Sequence, residues 1–510
     1  MGTRTQSLIA LFEQLHGQGA RRAVICPGGR NAPLVQLLET LAPHWGWSLE
    51  SFFDERAAAF YALGLTKRDP SPVVICVTSG TAAAELFPAL IEAHATASAL
   101  IALSADRPRS HRGSGSPQSM EQVDLFGDYA PTILDWQEGE AMPTILAHTT
   151  PVHINLCFAE PLWAAEVPDL PTAPETASTK KLSRTITASF PNFQRPLVLV
   201  GQLPAHEQAS VRAFLEWYRA PVLAEASSGL REAQLPNLLR AADRVAARWL
   251  KRQHFDGVLR LGAVPSWRLW RDLEFYQGPV ISASHLPWPG LPDRTHSQGE
   301  LSPWLRDWMH TGPRCELRVD LHQEDQLVSE KHNRLFEEYP QSEAALVRAL
   351  SIQAAPGAHV YLGNSRPVRD WNEHALRSKS FLIEENRGVN GIDGQLSTFY
   401  GACRPELENW ALVGDLTALY DLQGPWALRY LSPATRTRVV VMNNGGGQIF
   451  KRMFPSPLFL NGHELSLEPL AQLWGLSFGR ELHTEARHAL IELTPQAPQT
   501  EAFRAAWEKL

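Results

Sequence analysis

The stretch VVVMNNGGGQIF (residues 439–450) changes abruptly from an apolar run to asparagine and glycine. Its first four residues are typical of a strand that is buried on both faces of a sheet. The residues that follow have little side chain to pack and leave their backbone polar groups exposed. Asparagine beside glycine is also the usual chemistry of a simple turn, because both residues tolerate positive φ. On this stretch alone, a tight turn and a ligand-binding loop both remain open.

A second stretch of the same kind lies upstream. In WALVGDLTALYDLQG (residues 410–424), a short apolar strand runs into Gly414 and Asp415. The segment 417–442 is long enough for a helix and a return to the next parallel strand, which is a βαβ unit. Both polar clusters would then lie at the carboxyl ends of parallel strands, where open α/β sheets bind ligands.

The two clusters offer oxygen ligands of the kind that magnesium prefers. Asp415 supplies a carboxylate oxygen and Asn444 an amide oxygen, and the glycines beside them let a backbone carbonyl approach closely. Mg²⁺ takes such oxygens and completes its coordination with phosphate. The N–H groups of turns that lead into helices also suit a phosphate. The sequence therefore predicts a Mg²⁺–diphosphate site.

GD followed by NN at this spacing resembles the metal fingerprint of thiamine-diphosphate enzymes. The variants GDLTALYDL and NNGGGQIF resemble one family among them, the 2-succinyl-5-enolpyruvyl-6-hydroxy-3-cyclohexene-1-carboxylate synthases of menaquinone biosynthesis. Leu416 replaces the usual third glycine, as it does in that family. Further matches follow in the family's order: CPGGRNAPL (26–34), FFDERAAAFYALGL (52–65), VTSGTAAAELFPALIEA (77–93), SADRP (104–108), GNSRPVR (363–369) and ENRGVNGIDGQLST (385–398).

The resemblance implies a fold, a reaction and an assembly. The fold is α/β, with three domains of mainly parallel sheets flanked by helices. The reaction decarboxylates 2-oxoglutarate on thiamine diphosphate and adds the resulting succinyl carbanion to isochorismate, with Mg²⁺ or Mn²⁺ as the metal. The assembly is a homodimer or homotetramer with active sites between subunits.

Bulk properties agree with a globular enzyme. The chain has 510 residues, of which 44% are apolar and 20% charged, and a net charge of −7. This charge argues against a nucleic-acid or anionic-membrane partner. We expect no membrane span, because no apolar run reaches roughly 18 residues, and we read the N-terminus as an amphipathic helix without a signal peptide. A cytoplasmic enzyme is expected, with its five scattered cysteines reduced in the core.

Three α/β blocks are predicted along the chain. Residues 1–180 form a pyrimidine-binding domain, residues 190–335 a smaller middle domain, and residues 345–510 the domain that binds diphosphate and metal. In each block, short apolar runs end in polar turns and alternate with helical stretches, which indicates parallel sheets. A stretch rich in Pro, Ala and Thr (residues 160–181) is typical of a linker. We expect the tryptophans of the middle block and its borders to serve core or interface packing, and not cofactor stacking.

Glu55 in FFDERAAAF lies where a strand passes into a helix. Without the resemblance it is a first-turn carboxylate favoured by the helix dipole, with Asp54 as the N-cap. The resemblance gives it a role: it hydrogen-bonds N1′ of the aminopyrimidine, so that the cofactor's own 4′-imino nitrogen removes the C2 proton. Such a carboxylate must be desolvated, and its pKa should be raised.

Other residues are assigned to the cofactor by the same resemblance. Ile392 supports the bent cofactor, although simple core packing also explains an isoleucine there. Ser79, Gly80 and Thr81 border the pyrimidine, although a helix N-cap explains Ser79 equally well. The metal is assigned to Asp415, Asn444 and Gly446. The remaining cofactor contacts are Leu416, Thr417, Gln448, Ile449 and Phe450.

Arginines are expected to hold the substrate carboxylates, because the planar guanidinium binds a carboxylate through two hydrogen bonds and stays charged. Most arginines in any chain are solvated surface residues, and only their places in the motifs single these out. The candidates are Arg30, Arg107, Arg369 and Arg387, with Gln118 and Ser365 as neutral partners. In the middle block, GAVPSWRLW stands where some family members have a basic pair, and Arg268 is the available substitute.

Two other functions are alternatives to this synthase. One is a relative of acetolactate-synthase type that uses another 2-oxo acid; the short middle block and its lack of a GxGxxG loop weaken this alternative. The other is a non-catalytic scaffold that kept the fold. The presence of Glu55, Asp415 and Asn444 argues against it.

Overall fold

Three β-sheets flanked by helices are found in the computed structural model, which describes residues 4–145, 151–163, 171–175, 184–454 and 456–510. All the strand pairs of these sheets are parallel. The predicted α/β class with mainly parallel sheets is confirmed. Within the described ranges, no helix is both long and apolar enough to cross a membrane.

The first sheet contains β1 (Arg22–Cys26), β2 (Ser48–Ser51), β3 (Val73–Val77), β4 (Leu100–Asp106), β5 (Thr132–Gln137) and β6 (Val152–Cys157). Its strand order is β2-β1-β3-β4-β6-β5. The central strands β3 and β4 are buried along their whole length, as expected for apolar runs covered by helices on both faces. The helices of this region are α1 (Arg4–Gly17), α2 (Ala32–Trp45), α3 (Glu55–Arg68), α4 (Thr81–Ala84) and α5 (Phe87–Ala95).

The second sheet contains β7 (Pro196–Val200), β8 (Val222–Ala224), β9 (Gly257–Leu261), β10 (Val280–Ser284) and β11 (Thr295–Gln298), in the order β11-β10-β9-β7-β8. Its helices are α6 (Ala205–Tyr218), α7 (Arg244–Lys251), α8 (Arg268–Asp272), α9 (Leu301–Thr311) and α10 (Val319–Glu338).

The third sheet contains β12 (His359–Leu362), β13 (Leu382–Glu385), β14 (Glu408–Gly414), β15 (Arg436–Met442), β16 (Ser477–Gly479) and β17 (His488–Leu493). Its order is β13-β12-β14-β15-β17-β16. The helices are α11 (Glu343–Gln353), α12 (Arg366–His374), α13 (Gln395–Ala402), α14 (Asp415–Tyr420), α15 (Glu468–Trp474) and α16 (Ala497–Lys509).

The two apolar stretches that predicted this sheet are the neighbouring parallel strands β14 and β15, with Gly414 opposite Met442. Strand β15 pairs with β14 on one side and β17 on the other, and both pairs are parallel. The asparagine–glycine stretch after β15 is therefore not the turn of a hairpin. A helical crossover lies between β14 and β15, as predicted. It consists of α14 and a 3₁₀ segment, Gly424–Tyr430, which carries a proline at its start.

Contacts within the chain divide it into two compact units. The first unit comprises Met1–Lys181, Asn386–Pro405 and Thr417–Ala434, and it includes the first sheet. The second unit comprises Leu182–Glu385, Glu406–Leu416 and Thr435–Leu510, and it includes the other two sheets. The domain bounds 1–180, 190–335 and 345–510 stay a prediction. Much of the predicted linker 160–181 lies outside the described residues.

Within the first unit, helices α3 and α13 approach each other closely through two glycines. A Cβ on Gly64 would lie 2.1 Å from the carbonyl oxygen of Thr398. A Cβ on Gly401 would lie 2.2 Å from the carbonyl oxygen of Tyr61. Each helix therefore uses a glycine where the backbone of the other passes, and any larger residue at either position would force the helices apart.

Most of the predicted core residues are buried. The five cysteines are free and buried. Five tryptophans of the middle block fill the core around the second sheet, whereas Trp163 and Trp288 are exposed. The five are Trp249, Trp267, Trp270, Trp304 and Trp308.

Candidate active site

The carboxyl edge of the third sheet collects polar residues from neighbouring strands. β12 ends just before Gly363 and Ser365, β14 ends at Gly414, and β15 ends just before Asn443 and Asn444. Because β12, β14 and β15 are adjacent and parallel, their following residues lie along one edge of the sheet. This is the position at which open parallel sheets bind ligands.

Asp415 is the centre of this edge. Its side chain is only 2% exposed. Oδ2 accepts the backbone N–H of Asn444 at 3.1 Å and that of Gly446 at 2.9 Å. Oδ1 accepts the N–H of Leu416 at 2.6 Å. The three residues predicted to hold the metal, Asp415, Asn444 and Gly446, are therefore in direct contact with one another.

The glycine stretch after Asn444 has a conformation that requires glycine. Gly446 has a φ of +126°, and a Cβ there would lie 2.4 Å from the carbonyl oxygen of Leu460. The loop is also held by the side-chain amide of Gln448, which donates to the carbonyl of Asn444 at 3.3 Å. Further along, Ile449 is half-buried and Phe450 is exposed. The bare backbone therefore forms an ordered loop over Asp415.

A divalent cation with a diphosphate fits the residues at this edge. The donor set of carboxylate, amide and backbone carbonyl consists of the hard oxygens that Mg²⁺ takes. A Cβ on Gly414 would meet nothing within 4 Å, so the end of β14 faces open space. No group of three or more His, Cys, Asp or Glu side chains suited to a metal occurs among the described residues. The predicted set is of a different kind, with one carboxylate among its ligands.

His463 lies beside Asp415 and was not singled out in the sequence. Its Nε2 is 3.5 Å from Asp415 Oδ2. Its Nδ1 accepts the N–H of Leu465 at 3.2 Å, so Nε2 carries the proton in the neutral ring. This buried Nε2 has no hydrogen-bond partner within the described chain, and it is available to a ligand. No motif marks His463, because its segment reaches the site only through folding.

Glu343 is a second residue that the sequence did not reveal. It is the first residue of α11, and its Oε1 accepts the side-chain amide of Asn444 at 3.0 Å. The two residues are 101 positions apart. Their contact depends on how α11 packs in the second unit, and no local pattern predicts it.

Ser365 and Arg369 occupy the first turn of α12, after β12. Ser365 has a φ of +72°, which is unusual for a residue other than glycine. Its carbonyl oxygen accepts a hydrogen bond from Arg369 Nη1 at 2.5 Å. Strained backbone of this kind is concentrated at functional sites. Because β12 and β14 are adjacent and parallel, the residues that follow them, Ser365 and Asp415 among them, lie along the same edge of the third sheet.

Glu55 lies in the first unit, as the first residue of α3. Asp54 caps this helix by accepting the N–H of Ala57 at 2.8 Å. Partial burial raises the pKa of the Glu55 carboxyl, and the nearby Asp54 and Glu85 raise it further, while a backbone hydrogen bond lowers it. The raised pKa is the direction predicted for a carboxylate that must hold a proton against the cofactor.

The SGT segment is held from the loop that follows β4. Ser79 Oγ donates to the carbonyl of Gln118 at 2.8 Å. The N–H of Gly80, with a φ of +83°, donates to Gln122 Oε1 at 2.9 Å. Thr81 is exposed and begins α4. Gln118 therefore lies beside the SGT segment, and its expected role as a substrate partner stays a prediction. The buried Gln122, which also holds this segment, was not among the predicted residues.

Arg30 and Arg107 are close enough to influence each other. Arg30 is 8% exposed, and its Nη1 donates to the carbonyl of Phe158 at 3.1 Å. Burial lowers the pKa of the Arg30 guanidinium and the Arg107 charge lowers it further, whereas Glu160 raises it. Arg107 Nε donates to the carbonyl of Pro117 at 2.9 Å. Two adjacent cations at a strand end suit an anionic ligand.

The loop with Arg387 and Ile392, residues 386–394, is held by a buried glutamate of α5. Glu92 accepts the N–H groups of Gly388 and Val389, each at 2.8 Å. A cavity of about 150 Å³ lies between this glutamate and the loop. Arg387 and Ile392 are both half-buried. The loop therefore has a fixed backbone beside open volume.

The predicted residues fall into two groups, one in each unit. Arg268, the candidate of the middle block, lies at the surface. Its side chain is 76% exposed and pairs with Asp272 at 2.9 Å. The first unit contains Arg30, Glu55, Ser79, Gly80, Thr81, Arg107, Gln118, Arg387, Ile392 and Thr417. The second unit contains Ser365, Arg369, Asp415, Leu416, Asn444, Gly446, Gln448, Ile449 and Phe450.

Comparison with known proteins gives the family. Residues 8–125 match the thiamine pyrophosphate enzyme N-terminal TPP-binding domain. Several proteins named 2-succinyl-5-enolpyruvyl-6-hydroxy-3-cyclohexene-1-carboxylate synthase match over most of their length. That of Bdellovibrio bacteriovorus is 38% identical over 531 residues, covering 100% of this chain and 99% of the relative. That of Akkermansia muciniphila is 38% identical over 522 residues, covering 94% of each. That of a Synechococcus species is 33% identical, covering 87% of this chain and 83% of the relative.

The match to the Bdellovibrio protein runs from end to end, and the Asp415 and Asn444 motifs lie at the sheet edge where their chemistry requires them. The chain belongs to the 2-succinyl-5-enolpyruvyl-6-hydroxy-3-cyclohexene-1-carboxylate synthase family of thiamine-diphosphate enzymes.

Proposed function

We propose that this chain decarboxylates 2-oxoglutarate and transfers the remaining succinyl unit to isochorismate, in menaquinone biosynthesis. The observation that carries the proposal is the full-length relationship to synthases of that name. The contacts that join Asp415, Asn444 and Gly446 support it, because a thiamine-diphosphate enzyme needs a metal at this edge. When bound, thiamine diphosphate supplies the nucleophilic carbon and the electron sink for decarboxylation.

Glu55 would hold a proton at N1′ of the aminopyrimidine, and its raised pKa supports this role. Ile392, in the loop held by Glu92, would support the cofactor from the apolar side. Asp415, Asn444 and the carbonyl of Gly446 would hold Mg²⁺ or Mn²⁺, whose charge the diphosphate requires. The further cofactor contacts that we propose are Ser79, Gly80, Thr81, Leu416, Thr417, Gln448, Ile449 and Phe450.

The substrates bring several carboxylates, and arginines would bind them. Arg30 and Arg107 offer adjacent positive charge in the first unit, with Gln118 beside the SGT segment. Arg387 lies in the same loop as Ile392. In the second unit, Arg369 and Ser365 stand on the first turn of α12. We propose these six residues as the substrate contacts and leave Arg268 out, because it is solvated and paired with Asp272.

The choice of donor tests the proposal. Purified protein with thiamine diphosphate and Mg²⁺ is assayed with isochorismate and either 2-oxoglutarate or pyruvate, and products are identified by mass spectrometry. Pyruvate lacks the distal carboxylate and so loses a charge-assisted pair worth about 1.5–3 kcal/mol, and leaving a buried arginine without its partner adds to this penalty. We expect pyruvate to react at least about a hundredfold less efficiently, at 1.4 kcal/mol per factor of ten. Equal rates with both donors would instead favour an enzyme of acetolactate-synthase type.

We propose a homodimer or a homotetramer, with active sites between subunits, as the assembly. The placement of Glu55 in one unit and Asp415 in the other is compatible with sites completed by a second copy. The cytoplasm remains the expected location of the enzyme.

A further inference from the structure

The side chain of Asn444 is held by a buried acidic group. Its Nδ2 donates to Glu343 Oε1 at 3.0 Å, and Glu343 is only 3% exposed. The other carboxylate oxygen of Glu343, Oε2, accepts a hydrogen bond from Arg504 Nη2 at 2.5 Å. The backbone N–H of Glu343 donates to Thr500 Oγ1 at 3.1 Å. The backbone and one carboxylate oxygen of Glu343 are therefore both held by residues of the C-terminal segment, and the other oxygen contacts Asn444.

The identity of this partner decides which end of the amide is free. A side-chain amide carries an oxygen at one end and an NH₂ group at the other, and only the oxygen can bind a hard cation. An ionised carboxylate accepts hydrogen bonds and cannot donate them. Glu343 must therefore face the NH₂ group of Asn444. The opposite orientation would place the amide oxygen against a carboxylate oxygen, and the two acceptors would repel each other.

We propose that Glu343 is a positioning residue that turns the Asn444 amide so that Oδ1 is presented to the divalent cation. This inference rests on the proposed metal site at Asp415, Asn444 and Gly446. Outer partners of this type commonly orient metal ligands, and their loss weakens metal binding.

The C-terminal helix supports Glu343. Thr500 and Arg504 are four residues apart on α16, so they lie on the same face of the helix. Both contact Glu343, which is the first residue of α11, where the helix dipole also favours a negative charge. Helix α16 is thus linked to the proposed metal ligand Asn444 through the Glu343 carboxylate.

A different role for Glu343 is purely structural, as the link that joins α11 to α16. Glu343→Gln separates the two roles. Arg504 is a cation and takes the glutamine oxygen, which leaves the glutamine NH₂ facing Asn444. Asn444 must then turn its oxygen toward residue 343 and its NH₂ toward the metal. A structural link alone would lose stability without this change in the ligand.

We would titrate the full-length protein with Mn²⁺ in the presence of thiamine diphosphate and measure the free Mn²⁺ by electron paramagnetic resonance. We expect Glu343→Gln to weaken Mn²⁺ binding by about 10- to 100-fold. The matched control is Glu207→Gln. Glu207 is also a fully buried carboxylate in the second unit, and it accepts the N–H of Leu301 at 2.6 Å. This control should keep the Mn²⁺ affinity of the parent even if it melts at a lower temperature.

A double variant tests the orientation itself. In Glu343→Gln with Asn444→Asp, the new carboxylate accepts the glutamine NH₂ through one oxygen and offers the other to the metal. Its two ends are equivalent, so orientation no longer matters. We expect this variant to recover Mn²⁺ affinity to within about threefold of the parent, well inside the 10- to 100-fold loss. Both variants lack the Glu343–Arg504 ion pair, so a lost structural link would weaken them equally. Equal weakness would overturn the inference.

Asp415→Ala distinguishes a failure of this inference from a failure of the proposed metal site. If Asp415→Ala abolishes Mn²⁺-dependent cofactor binding while Glu343→Gln binds Mn²⁺ like the parent, the metal site stands and the role of Glu343 is wrong. If Asp415→Ala also binds Mn²⁺ like the parent, the metal site is elsewhere and both proposals are wrong.

Discussion

Glu55 is a half-buried carboxylate at the first position of a helix whose N-cap, Asp54, also carries a negative charge. The helix dipole favours the ionised form there, yet burial and the two neighbouring acids raise the pKa. The desolvation of this carboxyl is the property that proton transfer to a heterocycle requires.

The variant Glu55→Gln tests this role of the carboxyl group. The variant should fold and bind thiamine diphosphate, but its turnover should fall by about 100- to 10,000-fold, the usual contribution of a general acid–base group. The loss should appear as slower hydrogen–deuterium exchange at C2 of the bound cofactor, measured by NMR after acid quench. Glu85→Gln is the matched control, because Glu85 is an exposed neighbour that contributes only charge. Normal exchange in Glu55→Gln would remove Glu55 from the mechanism.

Single residues also mark the limit of sequence reasoning. Asp415 and Asn444 were predictable because each follows an apolar strand directly and the two strands are neighbours. Glu343 contacts Asn444, and His463 lies beside Asp415. Neither follows an apolar strand: Glu343 begins α11, and His463 follows an Asn-Gly pair that by itself indicates only a turn. Their presence at the site depends on long-range packing, for which one sequence carries no periodic signal.

Among the secondary-structure elements, α13 has an N-terminus that is completed from a distant segment. Its N-cap is Gly394, which has no side chain, so the N–H groups of the first turn need other acceptors. Asp421 supplies them: its Oδ2 accepts the N–H of Ser397 at 2.7 Å and its Oδ1 accepts the Ser397 hydroxyl at 2.9 Å. Asp421 is fully buried, and burial raises its pKa to about 6 from an ordinary value of 3.8.

This element gives a pH-dependent prediction. Because the pKa of Asp421 is higher in the folded state, the folded chain binds the proton more tightly between pH 3.8 and about 6. Stability from this group is therefore greatest at low pH and falls as the pH rises through that window, by up to about 3 kcal/mol. Asp421→Asn cannot ionise and should lack this dependence.

The melting temperatures of the parent and Asp421→Asn, compared at pH 4 and pH 6.5, test the sign. The advantage of the parent over the variant should shrink as the pH rises. An advantage that grows with pH would mean that Asp421 is stabilised in its ionised form.

The crossover between β14 and β15 is helical, but its helix is short. The spacing between the two metal motifs predicted a helix and a return strand, and the parallel pairing of β14 and β15 agrees with this. The helix itself, α14, is short and gives way to a 3₁₀ segment that starts next to Pro425. The topology was predictable from spacing, whereas the spacing carried no information on the length of the crossover helix.

For the whole molecule, the proposed assembly makes Glu55 and Asp415 of different subunits act together. The inactive variants Glu55→Gln and Asp415→Ala are mixed, unfolded mildly to exchange subunits, and reassembled. Each hybrid dimer of twofold symmetry then holds one intact site and one doubly altered site, so about one quarter of all sites should be active. Activity should rise from near zero after exchange.

The control for this experiment is each variant carried through the same exchange alone, which should stay inactive. If active sites are formed within one chain, the mixture should stay inactive as well, and the proposed arrangement is wrong. Light scattering of the parent then separates a dimer from a tetramer.

The glycine contact between α3 and α13 bears on how this protein can be recombined with its relatives. α3 begins with Glu55, and α13 follows the loop that contains Ile392. Because Gly64 and Gly401 set the two helix backbones in van der Waals contact, neither helix can slide without the other. A chimera that takes residues 52–68 from one relative should therefore take residues 391–402 from the same source. The two segments should therefore be exchanged together, although more than 300 residues separate them in the chain.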